Sequence, residues 1–77
     1  MSILAFILLN VEMAFQRETL EKVRALDEVI EAHLIFGTYD IIVKAEFPTN
    51  QELSLFVVDR LKTLPGVGET QTNICSD

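Results

Sequence analysis

Apolar and polar positions divide this chain into six elements. Ile3 to Val11 is a nearly continuous apolar run of strand length, the pattern of a central strand buried on both faces. Glu12 to Phe15 breaks that run. From Gln16, Leu20, Val23 and Leu26 recur at helical spacing, with Arg17, Glu18, Glu21, Lys22 and Arg24 on the other faces. Glu18 and Lys22 form an i, i+4 pair in the favourable orientation. Val29 to Phe36 then alternates, with Ile30, Ala32, Leu34 and Phe36 on one side and Glu31, His33 and Ile35 on the other. Tyr39 to Phe47 alternates as well, setting Ile41, Val43, Ala45 and Phe47 against Ile42, Lys44 and Glu46. Two such runs joined by a tight turn predict an antiparallel hairpin. The turn signal is Gly37-Thr38-Tyr39-Asp40, in which Gly37 takes φ > 0 without a Cβ clash and Asp40 can bond nearby backbone amides.

Pro48-Thr49 opens a second helix. Thr49 and Glu52 have capping-box spacing, and Leu53, Phe56, Val57, Leu61 and Leu64 form its buried stripe. Leu55 and Val58 lie outside that stripe, where they can meet a neighbouring subunit. Pro65-Gly66 stops the helix. Val67 to Cys75 reads as a last strand with a polar middle, Glu69-Thr70-Gln71-Thr72-Asn73. The order β-α-β-β-α-β predicts an α+β, ferredoxin-like fold: a four-stranded antiparallel sheet in the order 4-1-3-2, with both helices on one face. The other sheet face then lies bare. It carries either Ile35 and Ile42 among charged residues or the more apolar set, and in both cases more apolar surface than a monomer hides. Packing against a second sheet, face to face, covers it.

Length sharpens that expectation. A chain of 77 residues buries only about 60% of its unfolded surface. This one is nonetheless 49% hydrophobic with a positive mean hydropathy, so an obligate oligomer is expected. Charge narrows the partners. Twelve acids against six bases give a net charge of −6, and the cations at 17, 22, 24, 44, 60 and 62 are scattered among acids. Direct nucleic-acid binding and attachment to an anionic membrane are therefore not expected. The single cysteine, Cys75, rules out an internal disulfide and a cysteine metal cage, and reads as a small hydrophobe on a strand. The apolar start lacks a basic n-region and a cleavage site and is too short to span a bilayer, which points to the cytoplasm.

Candidate chemistry is sparse. No catalytic residues, metal ligands or cofactor are expected. His33 is the only histidine and has no partner nucleophile, and Glu31, Glu46 and Glu69 read as solvated strand positions. The functional groups worth weighing sit at the turn. The Asp40 carboxylate suits an ammonium group, with a local turn bond as its competing role. Gly37 and Thr38 can offer backbone amides to a carboxylate, although Gly37 also serves turn geometry. Tyr39 can wall a pocket or pack across strands. Thr70 and Thr72 point to one side of the last strand, as ligand hydroxyls or simply as good strand formers.

Three segments carry a resemblance: Ala5-Phe6-Ile7-Leu8-Leu9-Asn10-Val11, Gly37-Thr38-Tyr39-Asp40-Ile41-Ile42-Val43-Lys44, and Leu64-Pro65-Gly66-Val67 leading into Glu69-Thr70-Gln71-Thr72-Asn73-Ile74. In this order and spacing, across nearly the whole chain, they resemble the effector-binding (RAM) module of the Lrp/AsnC transcriptional regulators. Family members often have a small polar residue where Phe36 stands, and a Pro or Gly within the stretch that here reads Glu12-Met13-Ala14-Phe15. Met1 stands two residues before the first strand, so the expectation is a stand-alone module, residues 1–77, with no helix-turn-helix segment. The resemblance implies a homodimer with facing sheets and higher homo-oligomers. It also implies a free amino acid bound at subunit interfaces near the central hairpin, with Gly37, Thr38, Tyr39 and Asp40 completed by a neighbour's Thr70 and Thr72. Full-length regulators carrying the same module are further possible partners. Two alternatives stand beside this reading: a purely structural oligomerisation module, and an enzyme of the dimeric α/β-barrel type, which shares the topology.

Overall fold

Strand alternation and helix spacing resolve, in the computed structural model, into two layers; the structure describes residues 2–77. The elements are β1 (Ile3–Val11), α1 (Gln16–Arg24), β2 (Val29–Leu34), β3 (Ile41–Phe47), α2 (Asn50–Leu55, continuing as a π-helical segment Phe56–Leu61) and β4 (Val67–Ile74). A 3-10 turn over Met13–Phe15 leads from β1 into α1. The sheet is antiparallel throughout, in the order β2-β3-β1-β4 that the crossover rule requires.

Register assigns every strand residue to a layer, because directly opposed residues share a face. Thr72-Ile7-Val43-Ala32 is one cross-strand row and Thr70-Leu9-Ile41-Leu34 the next, both facing the helices. Asn73-Phe6-Lys44-Glu31 and Gln71-Leu8-Ile42-His33 are the rows of the opposite, open face. Ala5, Ile7, Leu9, Ile41, Val43 and Ala45 are fully buried beneath Leu20 and Val23 of α1 and Leu53, Phe56, Val57 and Leu61 of α2. Phe47 and Phe56 close the core, with ring centroids 5.0 Å apart and tilted by 55°. The two candidates for the bare face are thereby resolved. The apolar set lies under the helices, and the open face is mixed, with Leu4, Phe6, Leu8 and Ile42 half-buried among Lys44, Glu31 and His33.

Several local features depart from the sequence pattern. β2 does not alternate throughout. The register shifts between Val29 and Glu31, so Val29 packs against the core and Ile30 is left exposed. A bulge inserts one residue and flips what precedes it. The hairpin is not a tight turn either. Ile35 N–H donates to the Asp40 carbonyl at 2.9 Å, closing a four-residue loop, Phe36–Tyr39, with Gly37 at φ 148°. On α2, Thr49 Oγ1 accepts the Glu52 N–H at 3.1 Å, and only this half of the capping box forms among the described residues. That helix widens into a π turn closed by Lys62 N–H to the Val57 carbonyl at 2.9 Å, and it ends at Leu61 rather than Leu64. Leu64-Pro65-Gly66-Val67 forms a separate reverse turn, with Val67 N–H on the Leu64 carbonyl and Gly66 at φ 74°. The Glu18–Lys22 pair forms as expected, at 3.3 Å.

Candidate functional site

Strand order alone decides what surrounds the hairpin loop. With β3 beside β1 and β1 beside β4, the start of β3 abuts the end of β1 and the beginning of β4. Asp40 is the pivot of this junction. Its N–H donates to the Leu9 carbonyl at 2.9 Å, and its Oδ2 accepts the Val11 N–H at 2.8 Å. The expected local turn bond is thus a cross-strand one, which carries the ladder past the end of β1. Its other oxygen, Oδ1, has no partner among the described residues, and the side chain is half-buried. Asn10 Nδ2 donates to the Thr38 carbonyl at 2.8 Å and pins the loop from below. Tyr39 reaches across the end of β1, its hydroxyl donating to Gln71 Oε1 at 3.2 Å on β4. It therefore links the hairpin loop to β4. Gly37 is exposed at the tip, and a Cβ there would meet nothing within 4 Å, so the glycine answers to backbone conformation alone.

Beneath Asp40 lies a cleft of about 330 Å³ lined by Asn10, Val11, Glu12, Asp40, Gly66, Val67 and Gly68. Its far wall is made by the β1–β4 register shift and by the Gly66 turn, which Glu12 N–H holds through the Gly66 carbonyl at 3.0 Å. Gly66 is required twice over. Its φ is positive, and a Cβ would come within 2.8 Å of the Phe15 side chain. Thr19, fully buried on α1, fixes the same turn by donating from Oγ1 to the Pro65 carbonyl at 2.6 Å. Gly66 stands out in the sequence as a helix stop, but nothing in composition or spacing places any of these wall residues beside the hairpin. The signal that identifies them is topological, since residues just after β1 and just before β4 must flank the hairpin once the order 4-1-3-2 is accepted.

Thr70 and Thr72 do share one side of β4, and that side faces the helix layer. Thr70 sits in the row of Leu9 and Ile41, beside the hairpin end of the sheet. Thr72 lies farther along the strand and lines a different cleft, between α2 and β4. One chain therefore brings Gly37, Thr38, Tyr39 and Asp40 together and leaves Thr72 apart from them. His33 lies on the open sheet face, its Nε2 2.8 Å from Glu31 Oε1, with Lys44 Nζ 3.9 Å from Glu31 Oε2. The hydrogen bond from His33, followed by the charges of His33 and Lys44, holds the exposed Glu31 carboxyl below its ordinary pKa. Among the described residues no three His, Cys, Asp or Glu side chains gather to hold a metal ion, and no helix is long and apolar enough to cross a membrane.

Residues 4–77 match the Lrp/AsnC ligand binding domain. The chain is 34% identical over 73 residues to the HTH-type transcriptional regulator FL11 of Pyrococcus horikoshii, which takes in 95% of this chain and 48% of FL11. It spans about half the length, or less, of the curated relatives it matches. Among solved structures it superimposes on FFRP-DM1 with a TM-score of 0.91 at 36% identity, over 96% of this chain and 99% of that one. It also superimposes on a Neisseria meningitidis transcriptional regulator, solved as its complex with L-Met, with a TM-score of 0.88 at 28% identity, over 97% and 50% of the two chains.

Proposed function

The chain belongs to the Lrp/AsnC ligand-binding-domain family of transcriptional regulators, and from that membership we propose that it is an amino-acid-sensing assembly module. The observation that carries this reading is the cleft beside Asp40, whose carboxylate is oriented by the Val11 N–H and keeps one oxygen without a partner among the described residues. An anionic acceptor held rigidly at a cleft mouth pairs with the α-ammonium of an amino acid. Gly37, Thr38 and Tyr39 do not line that cleft within one chain; in the assembled site the backbone amides of Gly37 and Thr38 answer the ligand's carboxylate and Tyr39 walls the pocket. Thr70 and Thr72 enter only from a second copy. The complex of the Neisseria meningitidis relative with L-Met supports this class of ligand.

Assembly is the second half of the proposal. The open sheet face carries Leu4, Phe6, Leu8 and Ile42 with no layer over it, and packing against the same face of a second copy buries it. The dimer so formed is the unit for higher homo-oligomers and for mixed assembly with full-length regulators that carry the same module. Such regulators would make the DNA contacts in the cytoplasm. The role is one of binding rather than catalysis.

Calorimetry and thermal shift against the twenty amino acids test the reading. Saturation at 100 times Kd adds about 2.7 kcal/mol of stability, a shift easily resolved in a domain of this size. Silence from all twenty at millimolar concentration, with the oligomer intact, leaves a purely structural assembly role.

A further inference from the structure

Thr72 leads away from the hairpin to a second cleft. It faces the helix layer in the row of Ile7, and it lines a space of about 380 Å³ between α2 and β4. The helix wall of that space is a stripe at three- and four-residue spacing on which Leu53, Val57 and Val58 stand, and Ile74 extends the strand wall beside Thr72. Leu53 and Val57 are buried, whereas Val58 and Ile74 are 56% and 53% exposed. The remaining lining residues, Asn50 and Ser54, are neutral, so no charged side chain among the described residues borders this cleft. Along the same wall the helix is π-wound from Phe56 to Leu61, a geometry frequent at functional sites.

The cleft beside Asp40 has the opposite character. Two carboxylates, Asp40 and Glu12, line it together with Gly66 and Gly68, and its only apolar liners are Val11 and Val67. It suits the charged end of an amino acid and has little to offer an apolar side chain. A second copy that contributes Thr72 to the site brings the uncharged cleft with it. We infer that the side chain of the bound amino acid lies in the α2–β4 cleft of that second copy, which makes the effector an amino acid with an uncharged, apolar side chain of aliphatic, thioether or phenyl class. This rests on the proposed amino-acid site and adds to it the class of side chain and two residues that select it, Val58 and Ile74.

The physics of the lining sets the preference. An apolar side chain buried against Leu53, Val57, Val58 and Ile74 gains roughly fourfold in affinity for each methylene taken from water. A carboxylate or ammonium in the same place would lose its hydration with no opposite charge on the walls to replace it. The volume lies at the lower end of the range for small-molecule pockets, as a site for one side chain requires.

Isothermal titration of the full chain with Leu, Met, Phe, Ala, Ser, Glu and Lys tests the inference, with far-UV circular dichroism to confirm folding. Wild type is expected to bind the best of Leu, Met and Phe at least about tenfold tighter than Ala, Ser, Glu or Lys. Val58→Glu puts a carboxylate on the cleft wall and is expected to move the ratio of Lys to Met affinity at least about tenfold towards Lys. Ile74→Ala removes apolar wall and is expected to lower the ratio of Leu to Ala affinity by roughly fourfold or more. Each variant is read as a ratio of two ligands, so a change in assembly common to both cancels. If Val58→Glu binds neither Lys nor Met, the Ile74→Ala ratio decides alone. A wild type that prefers Ser, Glu or Lys, or a ratio that stays at its wild-type value in either variant, overturns the inference and leaves amino-acid sensing standing. A preference for Lys that Glu12→Gln abolishes overturns it in the same way, with the side chain then in the cleft beside Asp40. Silence from all twenty amino acids overturns the amino-acid site itself and the side-chain class with it.

Discussion

Replacing Asp40 by Ala separates the structural from the ligand-binding work of that carboxylate. In the folded protein Asp40 Oδ2 accepts the Val11 N–H at 2.8 Å, and Val11 is 4% exposed. Truncation leaves that N–H without its partner at the end of β1, a loss of about 1–3 kcal/mol for a buried donor. It also removes the side chain that holds the hairpin loop against β1, although the backbone bond from Asp40 N–H to the Leu9 carbonyl survives. For a domain of this size about 1 kcal/mol moves the melting temperature by roughly 4–8 °C, so Asp40→Ala is expected to lower it by about 10 °C. Asp40→Asn keeps a carbonyl oxygen for the Val11 N–H, so its stability loss should stay below about 1 kcal/mol. Its neutral amide cannot pair with an ammonium, so amino-acid affinity should fall at least about tenfold, or 1.4 kcal/mol. Differential scanning calorimetry at matched protomer concentration measures the first pair of numbers, since melting of an oligomer depends on concentration. Isothermal titration measures the affinity. Asp40→Ala melting within about 2 °C of wild type, or Asp40→Asn as damaging as Asp40→Ala, would refute the assignment of the Val11 bond as the stabilising one.

The remaining predictions concern the walls of the cleft and the open face. Gly66→Ala should destabilise by more than the roughly 1–2 kcal/mol of a left-handed non-glycine residue, because its Cβ also meets Phe15 Cβ and Cδ2 at 2.8 Å; urea titration gives the value, and combining it with Phe15→Ala should recover only the part due to the ring, since alanine keeps the Cβ contact. Thr19→Val removes the buried hydroxyl bonded to the Pro65 carbonyl and should cost about 1–3 kcal/mol by the same titration, with no change in far-UV circular dichroism. Glu31 has a lowered folded-state pKa because of His33, so its contribution to stability is present above the ordinary carboxylate pKa and is lost as pH falls through the folded value. Its carboxyl carbon, followed by NMR, should titrate below the ordinary range in wild type and return towards it in His33→Gln.

Legibility varied along the chain for physical reasons. β1 was read to its ends because nine residues of near-continuous apolarity between Ser2 and Glu12 admit few alternatives to a central strand. The Gln16 start of α1 and the Thr49 cap were equally plain, being set by bonds and spacings within one turn of helix. The β2 bulge was not legible. Ile30 continues the alternating pattern, and only pairing with β3 shows that Val29 takes the core position. The π turn after Leu55 escaped for a similar reason. The stripe Leu53, Phe56, Val57, Leu61 fits an α-helix as well, and packing over the sheet rather than propensity selects the wider turn.

The candidate site divides along the same line. Gly37 to Asp40 could be singled out from residue types, since a glycine, a hydroxyl, a phenol and a carboxylate between two β-branched runs imply a loop with polar reach. Their partners could not. Asn10, Val11 and Gln71, which bond the loop and Asp40, and Gly66 and Gly68, which line the cleft beside Asp40, come from segments far away in the chain, and they gather there only because β1 lies between β3 and β4. Thr70 and Thr72 show the converse. Alternation placed them correctly on one side of β4, but which layer that side faces is decided by register with Ile7 and Leu9. Periodicity and turn chemistry are properties of neighbours along the chain, so the sequence by itself determined the elements, their order and the topology. Which face is buried, which side chains close the cleft and which apolar residues are left outside depend on contacts between distant segments, and only the tertiary structure decided them.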